Sequence, residues 1–171
     1  MLDHSIAPQP TCDFGDKTAD IRLYIANAPK IDLCKDGHSL RAISPNEITN
    51  IVSLTGNHWR KIFNIYAKLL YQLDSQHFDS WQDLRERQLL QQGSRQQLFC
   101  AHKKLQPYAK LEIVCGKQYA RQLIDDAQLN WLDNDFAQHK QRPLIVTPYF
   151  DYRQLSNTKI EYLSQLISIS G

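Results

Sequence analysis

Three segments of the chain share one plan, in which an apolar, strand-like run is followed by a tight polar turn and then by a helix-like pattern. The runs begin at Ile21, Leu111 and Leu144. Strands that alternate with helices predict a parallel sheet with helices on its two faces. Ligands of such sheets bind at the carboxyl ends of the strands. We therefore predict a three-layer α/β/α fold with a central, mostly parallel four-stranded sheet and a functional site in the loops that follow the strands.

The hydrophobic pattern gives the approximate position of each element. Strands are predicted over residues 21–26, 94–100, 111–115 and 144–148. Apolar residues at three- and four-residue spacing predict the longest helix over 59–73. Further helices are predicted over 44–56, 80–92, 117–124, 131–139 and 158–167. Arg22 interrupts the first strand, and we expect its side chain at the margin of the buried region.

The size of the chain, 171 residues with 42% apolar content, is that of one domain with a substantial core. Residues 1–20 show no hydrophobic periodicity and are predicted to form an N-terminal arm, with a single α/β domain over 21–171. A formal net charge of +2 does not by itself indicate nucleic-acid binding, although it leaves room for a local basic face. No apolar run approaches the roughly 20 residues that span a bilayer. The sequence also shows no signal-peptide pattern, so we predict a cytoplasmic protein without membrane association.

The metal-binding residue types occur without the spacings that metal sites use. The four cysteines form no C-x-x-C pair, and the six histidines form no H-x-x-x-H or H-E-x-x-H pattern. Cys100 and Cys115 lie in apolar runs, where cysteine usually acts as a small core residue. We predict neither a bound metal nor a cofactor.

The first candidate site residues follow the first predicted strand, where the sequence reads Asn-Ala-Pro-Lys over residues 27–30. The amide of Asn27 could position a water molecule or bind a polar ligand. Asn27 and Pro29 are also common turn residues, so the same segment is compatible with a purely structural turn.

Two glycine-containing turns precede predicted helices and have the geometry that favours anions. Gly56, Asn57 and Arg60 combine backbone donors, a helix dipole and a guanidinium group, a combination that suits a phosphate. Asn57 could instead cap the helix. Gly116 and Lys117 form a similar turn after the third strand, without the Walker A pattern. A glycine at such a turn often serves only steric needs.

Residues 147–157, at the end of the last predicted strand and after it, combine aromatic, acidic, basic, hydroxyl and amide side chains within eleven positions. Aromatic rings beside an arginine are typical of loops that stack on bases or contact phosphates. The predicted ligand-binding residues in this segment are Thr147, Tyr149, Asp151, Tyr152, Arg153, Ser156 and Asn157.

The same segment also has a structural interpretation. In it, Tyr149 and Phe150 fill space under the loop, Asp151 pairs with Arg153, and Ser156 caps the last helix. Composition alone leaves both interpretations open.

The order of these motifs resembles the uracil-DNA glycosylase superfamily. Residues 26–30 (Ala-Asn-Ala-Pro-Lys) look like its first motif, Gly-Glu-Ala-Pro-Gly or Gly-Ile-Asn-Pro-Gly. Residues 55–63 are similar to its Ser-Gly-x-x-Leu-x-x-Leu-Leu segment. Residues 114–120 resemble its strand that ends in Gly-Lys or Gly-Arg before an Ala-rich helix. Thr147-Pro148-Tyr149 stands where the superfamily has His-Pro-Ser.

The resemblance implies a function for each of these positions. Asn27 would be the catalytic residue that orients the attacking water, and a flipped base would lie between Asn27, Tyr149 and the end of the second strand. Arg60, Lys117 and Arg153 would contact phosphates. The implied partner is DNA or another nucleobase-containing ligand. The segment 149–157 also resembles small, uncharacterised bacterial proteins of similar length.

A second hypothesis needs no catalysis. The segment 149–153 has the composition of an interaction hot spot, so the chain could be a non-catalytic α/β domain that binds a protein or a small phosphorylated ligand through this loop. The sequence predicts no oligomeric state.

Overall fold

The computed structural model describes residues 12–31 and 40–170, with side chains up to residue 169. In these ranges the protein is a mixed α/β structure. The strands are β1 (Asp13–Gly15), β2 (Ile21–Ile25), β3 (Leu40–Arg41), β4 (Gln96–Cys100), β5 (Leu111–Cys115), β6 (Leu129–Trp131), β7 (Ala137–His139) and β8 (Leu144–Thr147). The helices are α1 (Glu47–Thr55), α2 (Asn57–Leu73), α3 (Trp81–Arg87), α4 (Lys117–Leu123) and α5 (Asn157–Ser170). None of these helices is long and apolar enough to cross a membrane.

The sheet has eight strands in the order β3-β1-β4-β2-β5-β8-β7-β6, so the predicted number of four is wrong. Strands β4, β2, β5 and β8 correspond to the four predicted strands, and each is parallel to its neighbour in this group. The four additional strands flank this group and contain only two or three residues each. Strands this short carry too few residues for an alternating hydrophobic pattern, so the sequence did not reveal them.

Side-chain alternation along the central strands supplies two hydrophobic cores. Leu23 and Ile25 of β2 belong to the larger core, which contains residues of α1, α2, α3 and α5. Tyr24, between them in the chain, belongs to the smaller core on the opposite face, together with Tyr119 and Ala120 of α4. Because both faces are covered, the central strands read as nearly continuous apolar runs.

A buried ion cluster lies within the central sheet, where the sequence suggested only a marginal charge. Arg22 is 8% exposed, and Glu112 of the neighbouring strand β5 is fully buried. Arg22 Nη1 lies 3.3 Å from Glu112 Oε1, and Arg142 contacts both carboxylate oxygens. The expected position of Arg22 at the margin of burial is therefore wrong, because Glu112 and Arg142 provide the partners that let its charge enter the core.

The same cluster holds the connection between β4 and β5. Residues 101–110 cross the sheet without a helix. Arg22 donates to the carbonyl of Pro107 at 2.6 Å, and Arg142 donates to the carbonyl of Gln106. The hydroxyl of Tyr24 accepts from the backbone N–H of Gln106 at 3.1 Å. The buried Arg22 and the partly buried Arg142 thus satisfy carbonyl groups that a crossover helix would have satisfied internally.

The predicted helix over 131–139 is wrong, because this segment contributes to the antiparallel pair β6–β7. Its turn is closed by Asp133, whose side chain accepts from the backbone N–H groups of Asp135 and Phe136, both at 2.8 Å. Such local side-chain acceptors compete with helix formation. Phe136 is anchored in the core.

Strand β1 lies inside the segment that the sequence assigned to an N-terminal arm over 1–20. It pairs antiparallel with β4 and parallel with β3. Gly15 ends β1 at a φ of +126°, and a Cβ atom there would lie 2.1 Å from the carbonyl oxygen of Gln96. Glycine is therefore required for this close approach. Residues 1–11 of the predicted arm lie outside the described residues.

Glu112→Gln is expected to lower the free energy of unfolding by about 3–5 kcal/mol, because it leaves the buried guanidinium group of Arg22 and the partly buried one of Arg142 without their counter-charge. Urea denaturation at equilibrium measures the change. Glu161→Gln, on the exposed surface of α5, is the matched control and should stay within about 0.5 kcal/mol of the wild type. Equal stability of both variants would contradict the role assigned to the cluster.

Candidate functional site

The candidate site lies where the chain changes direction in the sheet. After β2 the chain continues to β4 on one side, whereas β5 lies on the other side of β2 and leads on to β8. Such a switch point opens a crevice at the carboxyl ends of the strands. Asn27 follows β2, Gly116 follows β5 and Tyr149 follows β8. The topology thus brings three of the predicted residues to one edge of the sheet.

Three side chains from separate parts of the chain meet at this edge, and we call them the polar triangle: Asn27, His58 and Tyr149. Asn27 Nδ2 lies 3.0 Å from the hydroxyl of Tyr149 and 3.4 Å from Nε2 of His58. The same His58 nitrogen lies 2.6 Å from the Tyr149 hydroxyl. Tyr149 therefore contacts both of the other members.

The donors and acceptors of the triangle fit one arrangement. In it, Asn27 Nδ2 donates to the Tyr149 oxygen, and the Tyr149 hydroxyl donates to the one lone pair of His58 Nε2. His58 then carries its hydrogen on Nδ1. Among the described residues, Asn27 Oδ1 and His58 Nδ1 have no hydrogen-bond partner, so an acceptor and a donor are available to a ligand.

The ring of Tyr149 packs next to Gly116 at the end of β5. Gly116 has a φ of +99°, and a Cβ atom at this position would lie 3.9 Å from Cδ2 of Tyr149. His58 contacts the Tyr149 ring edge-on, with 5.7 Å between ring centroids. Burial raises the pKa of Tyr149 to about 12, and its hydrogen bond from Asn27 acts in the opposite direction. The hydroxyl therefore keeps its proton at neutral pH.

A surface groove of about 400 Å³ adjoins the triangle. It is lined by Asn27, Ala28, Lys30, Leu54, Thr55, His58 and Trp59. Among the described residues, Lys30 is the charged member of this lining, and no carboxylate belongs to it. The groove offers an ammonium group, an amide, an imidazole and apolar surface to one ligand, a combination that suits an aromatic ring bearing an anionic group.

The loop after β8 is fastened to α2 rather than freely exposed. Phe150 is fully buried. Asp151 accepts from the backbone N–H of Arg153 at 2.8 Å and lies 3.3 Å from Lys61 Nζ. These two contacts, the first being the stronger, lower the pKa of Asp151. Tyr152 accepts from Asn64 Nδ2 at 3.0 Å.

Several predicted residues take structural positions near the site. Thr147 is buried and its hydroxyl donates to the carbonyl of Pro148 at 2.8 Å. Pro29 is buried in the turn after β2. Ser156 accepts from the backbone N–H of Lys159 at 3.4 Å, as the capping interpretation predicted. Asn157 accepts from Lys68 at 3.4 Å.

The two predicted anion turns differ in what they leave accessible. Gly56, Asn57 and Arg60 are exposed at the junction of α1 and α2, beside the groove. Lys117 instead donates to the carbonyl of Asn134 at 3.1 Å and lies over the ring of Trp131. The ammonium group of Lys117 thus joins the β6–β7 hairpin to α4, while the turn at Gly56 stays exposed. Arg153 is exposed on the loop after β8.

His58 is the site residue that sequence reasoning missed. The sequence pattern predicts a phosphate-binding turn with Gly56, Asn57 and Arg60 and assigns no role to His58. The available signal was its place in the first turn of a helix that begins at the same edge of the sheet as Asn27. Only the packing of α2 against the sheet reveals that its ring reaches Tyr149.

The described residues form no candidate metal site. Among them, no three His, Cys, Asp or Glu side chains come together in a way that could hold a metal ion. Cys100 and Cys115 are fully buried, as predicted, and burial raises the pKa of each thiol well above its usual range.

Residues 12–168 match the model of a family described as "Family of unknown function (DUF6942)". The chain belongs to this family. The match extends from the start of β1 into α5, so it includes both the sheet and the polar triangle. Searches of the curated proteins and of the solved structures found no significant match. None of these comparisons bears on the uracil-DNA glycosylase resemblance, which stays a prediction.

Tyr149→Phe is expected to lower the free energy of unfolding by about 1 kcal/mol, because it removes the hydroxyl that joins Asn27 to His58. Ionisation of the unfolded chain begins near pH 10, whereas folded Tyr149 holds its proton to about pH 12. The stability difference should therefore be constant below pH 10 and decline as the pH rises to about 12. Urea denaturation as a function of pH measures it.

The control for this experiment is Tyr108→Phe, at a side chain that is 66% exposed. It should leave the stability at neutral pH unchanged. A Tyr149→Phe variant as stable as the control would mean that the triangle contributes nothing to the fold.

Proposed function

We propose that the protein binds a nucleobase-containing ligand at the carboxyl ends of β2, β5 and β8 and hydrolyses an N-glycosidic bond there. The observation that carries the proposal is the convergence of Asn27, His58 and Tyr149 at the switch point of the sheet. The type of reaction is inferred from the order of the sequence motifs, which resembles that of the uracil-DNA glycosylase superfamily. A cytoplasmic location stays a prediction of the sequence.

The triangle supplies the polar groups that such a ligand needs. Asn27 offers a carbonyl oxygen that can accept from a base or orient a water molecule. When the glycosidic bond breaks, its electrons move onto the base, and negative charge develops on the carbonyl oxygens of the base. The protonated hydroxyl of Tyr149 can donate to such an oxygen, a role that the superfamily gives to the histidine of its last motif. A ligand carbonyl would then replace His58 as the acceptor of the hydroxyl.

The charges beside the triangle favour a ligand that carries phosphate. Lys30 lines the groove, and Arg60 is exposed in the first turn of α2. Asp151 is the acidic residue of the adjoining loop, and Lys61 offsets its charge at 3.3 Å. Counted over the residues that the structure describes, the surroundings of the groove are thus net positive, which suits the backbone of a nucleic acid.

The alternative of a protein-binding aromatic loop loses its main support. Of the three aromatic residues in 149–152, Phe150 is fully buried and Tyr149 is half-buried within the triangle, which leaves only Tyr152, at 38% exposure, on the surface. One exposed ring is not the clustered hot spot that the alternative requires. The observations therefore favour the nucleobase ligand.

The test uses end-labelled single- and double-stranded DNA that contains one uracil, with alkali to cleave any abasic site that the protein produces. We expect cleavage at the uracil by the wild type. Asn27→Ala and Tyr149→Phe should each slow it by about 10²–10³-fold, because each removes one group aimed at the reacting atoms.

The matched control is Asn130→Ala, which removes an exposed amide from β6, a strand separated from β2 by three others in the sheet. It should cleave at the wild-type rate. Absence of cleavage by the wild type, together with no DNA retained in a low-salt gel shift, would exclude the proposed function.

Binding of the same DNA is expected to weaken steeply with salt. Arg60→Ala and Arg153→Ala should each reduce the slope of log affinity against log salt concentration by about 1, because each removes one phosphate contact. Fluorescence anisotropy at several salt concentrations measures the slope. Lys110→Ala, at the opposite edge of the sheet, should leave it unchanged. An affinity independent of salt would count against a nucleic-acid ligand.

A further inference from the structure

The shortest contact in the polar triangle joins His58 to Tyr149. His58 Nε2 lies 2.6 Å from the Tyr149 hydroxyl, and the two rings meet edge-on with 5.7 Å between their centroids. The imidazole also stacks on Trp59, a ring that is only 5% exposed. His58 itself is exposed and lines the groove beside the triangle. A buried ring thus orients an imidazole that stays in contact with solvent.

This contact must change its donor when the hydroxyl of Tyr149 turns to a ligand. In the arrangement given above, the hydroxyl donates to Nε2 of His58. If the same hydrogen is given to a ligand carbonyl, two lone pairs face each other across 2.6 Å unless Nε2 carries a hydrogen. The tyrosine oxygen can then accept from both His58 and Asn27, whose Nδ2 lies 3.0 Å away. Binding of the proposed ligand therefore favours a His58 that donates.

The charges around His58 determine when it becomes an imidazolium. Lys30 lines the same groove, and Arg60 and Lys61 lie on the same helix. The first turn of α2 adds the positive end of its dipole, which also opposes a charged imidazole. Asp151, on the loop after β8, is paired with Lys61 at 3.3 Å. A ligand phosphate reverses this balance, and because histidines ordinarily titrate close to neutral pH, it favours the imidazolium.

We propose that His58 is the proton source of the site and acts through Tyr149, which passes a proton to the leaving base. The inference rests on the proposed function. The carbon–nitrogen bond breaks, and its electron pair stays on the base. The hydroxyl proton of Tyr149 moves to a carbonyl oxygen of the base, while the Nε2 proton of His58 moves to the tyrosine oxygen. Water bonds to the anomeric carbon, and the proton that it loses returns to His58.

Tyr149 needs this help because its own hydroxyl is a poor acid. Burial raises the pKa of Tyr149 to about 12, and the hydrogen bond from Asn27 only partly opposes that effect. A charged donor 2.6 Å from the tyrosine oxygen replaces the proton as it leaves, so that no phenolate has to form. His58 is a positioning residue in this scheme, since Tyr149 is the group that touches the ligand.

The experiment measures single-turnover cleavage of a fluorescein-labelled, uracil-containing single strand as a function of pH, together with binding of the same strand by anisotropy. The wild-type rate should fall as the pH rises above neutral, where imidazolium is lost. His58→Gln keeps an N–H that can orient Tyr149 but has no proton to give up. It should cleave about 10²-fold more slowly, with a flat profile in this range. Its binding should stay within about threefold of the wild type, because the lost interaction belongs to the transition state.

A double-mutant cycle tests whether His58 acts through Tyr149. Tyr149→Phe removes the group that relays the proton, so it should abolish the same pH dependence. Adding His58→Gln to Tyr149→Phe should then slow cleavage by less than about twofold further, because two residues that act as a unit are not additive. Rate losses that multiply in the double variant would show that His58 acts on its own and would overturn the relay.

His77→Gln, which replaces an exposed histidine after α2, is the matched control and should retain the wild-type rate and pH profile. Thermal unfolding of each variant separates folding from chemistry, and rates are compared below the lowest midpoint. A folded His58→Gln variant with the wild-type rate and profile would overturn the inference and leave the proposed function intact. A wild type that cleaves no uracil strand would instead remove the reaction, and the role of His58 with it.

Discussion

The carboxylate of Glu112 is the constraint on which the rest of the structure depends. It is fully buried in a central strand, so its charge requires partners, and Arg22 and Arg142 provide them from β2 and from the turn before β8. The same guanidinium groups bind the carbonyls of residues 106 and 107. One cluster thereby joins three parallel strands to a crossover that has no helix of its own.

The pairing of the central strands fixes where the residues at the carboxyl edge of the sheet lie relative to one another. Asn27, Gly116 and Tyr149 follow β2, β5 and β8 directly, so the positions of their backbones are fixed by the sheet register. A second network holds the loop after β8, because Asn64 in the middle of α2 binds Tyr152 and accepts from Arg85 of α3. Short loops on fixed strands suit a site that must hold reacting groups within narrow limits.

The sequence predicted the elements whose hydrophobic runs are long. Strands β2, β5 and β8 and helix α2 were each expected within about two residues of their observed ends, because four or more buried residues produce a clear pattern. Four short strands form because they pair with other strands, and their own sequences show no strand pattern: β1, β3, β6 and β7. The interpretation of 131–139 as a helix failed for the same reason, since the register of β7 with β8 decides its conformation.

By itself, the sequence determined the α/β class, the parallel centre of the sheet and the residues that follow the strands, because burial on both faces leaves a local signature in composition. Only the tertiary structure decided which of those residues meet. The packing of α2 against the sheet brought Asn27, His58 and Tyr149 together, whereas the ammonium group of Lys117 contacts the β6–β7 hairpin. Hydrogen bonds between residues 91 and 122 positions apart in the chain leave no local pattern that a sequence could display.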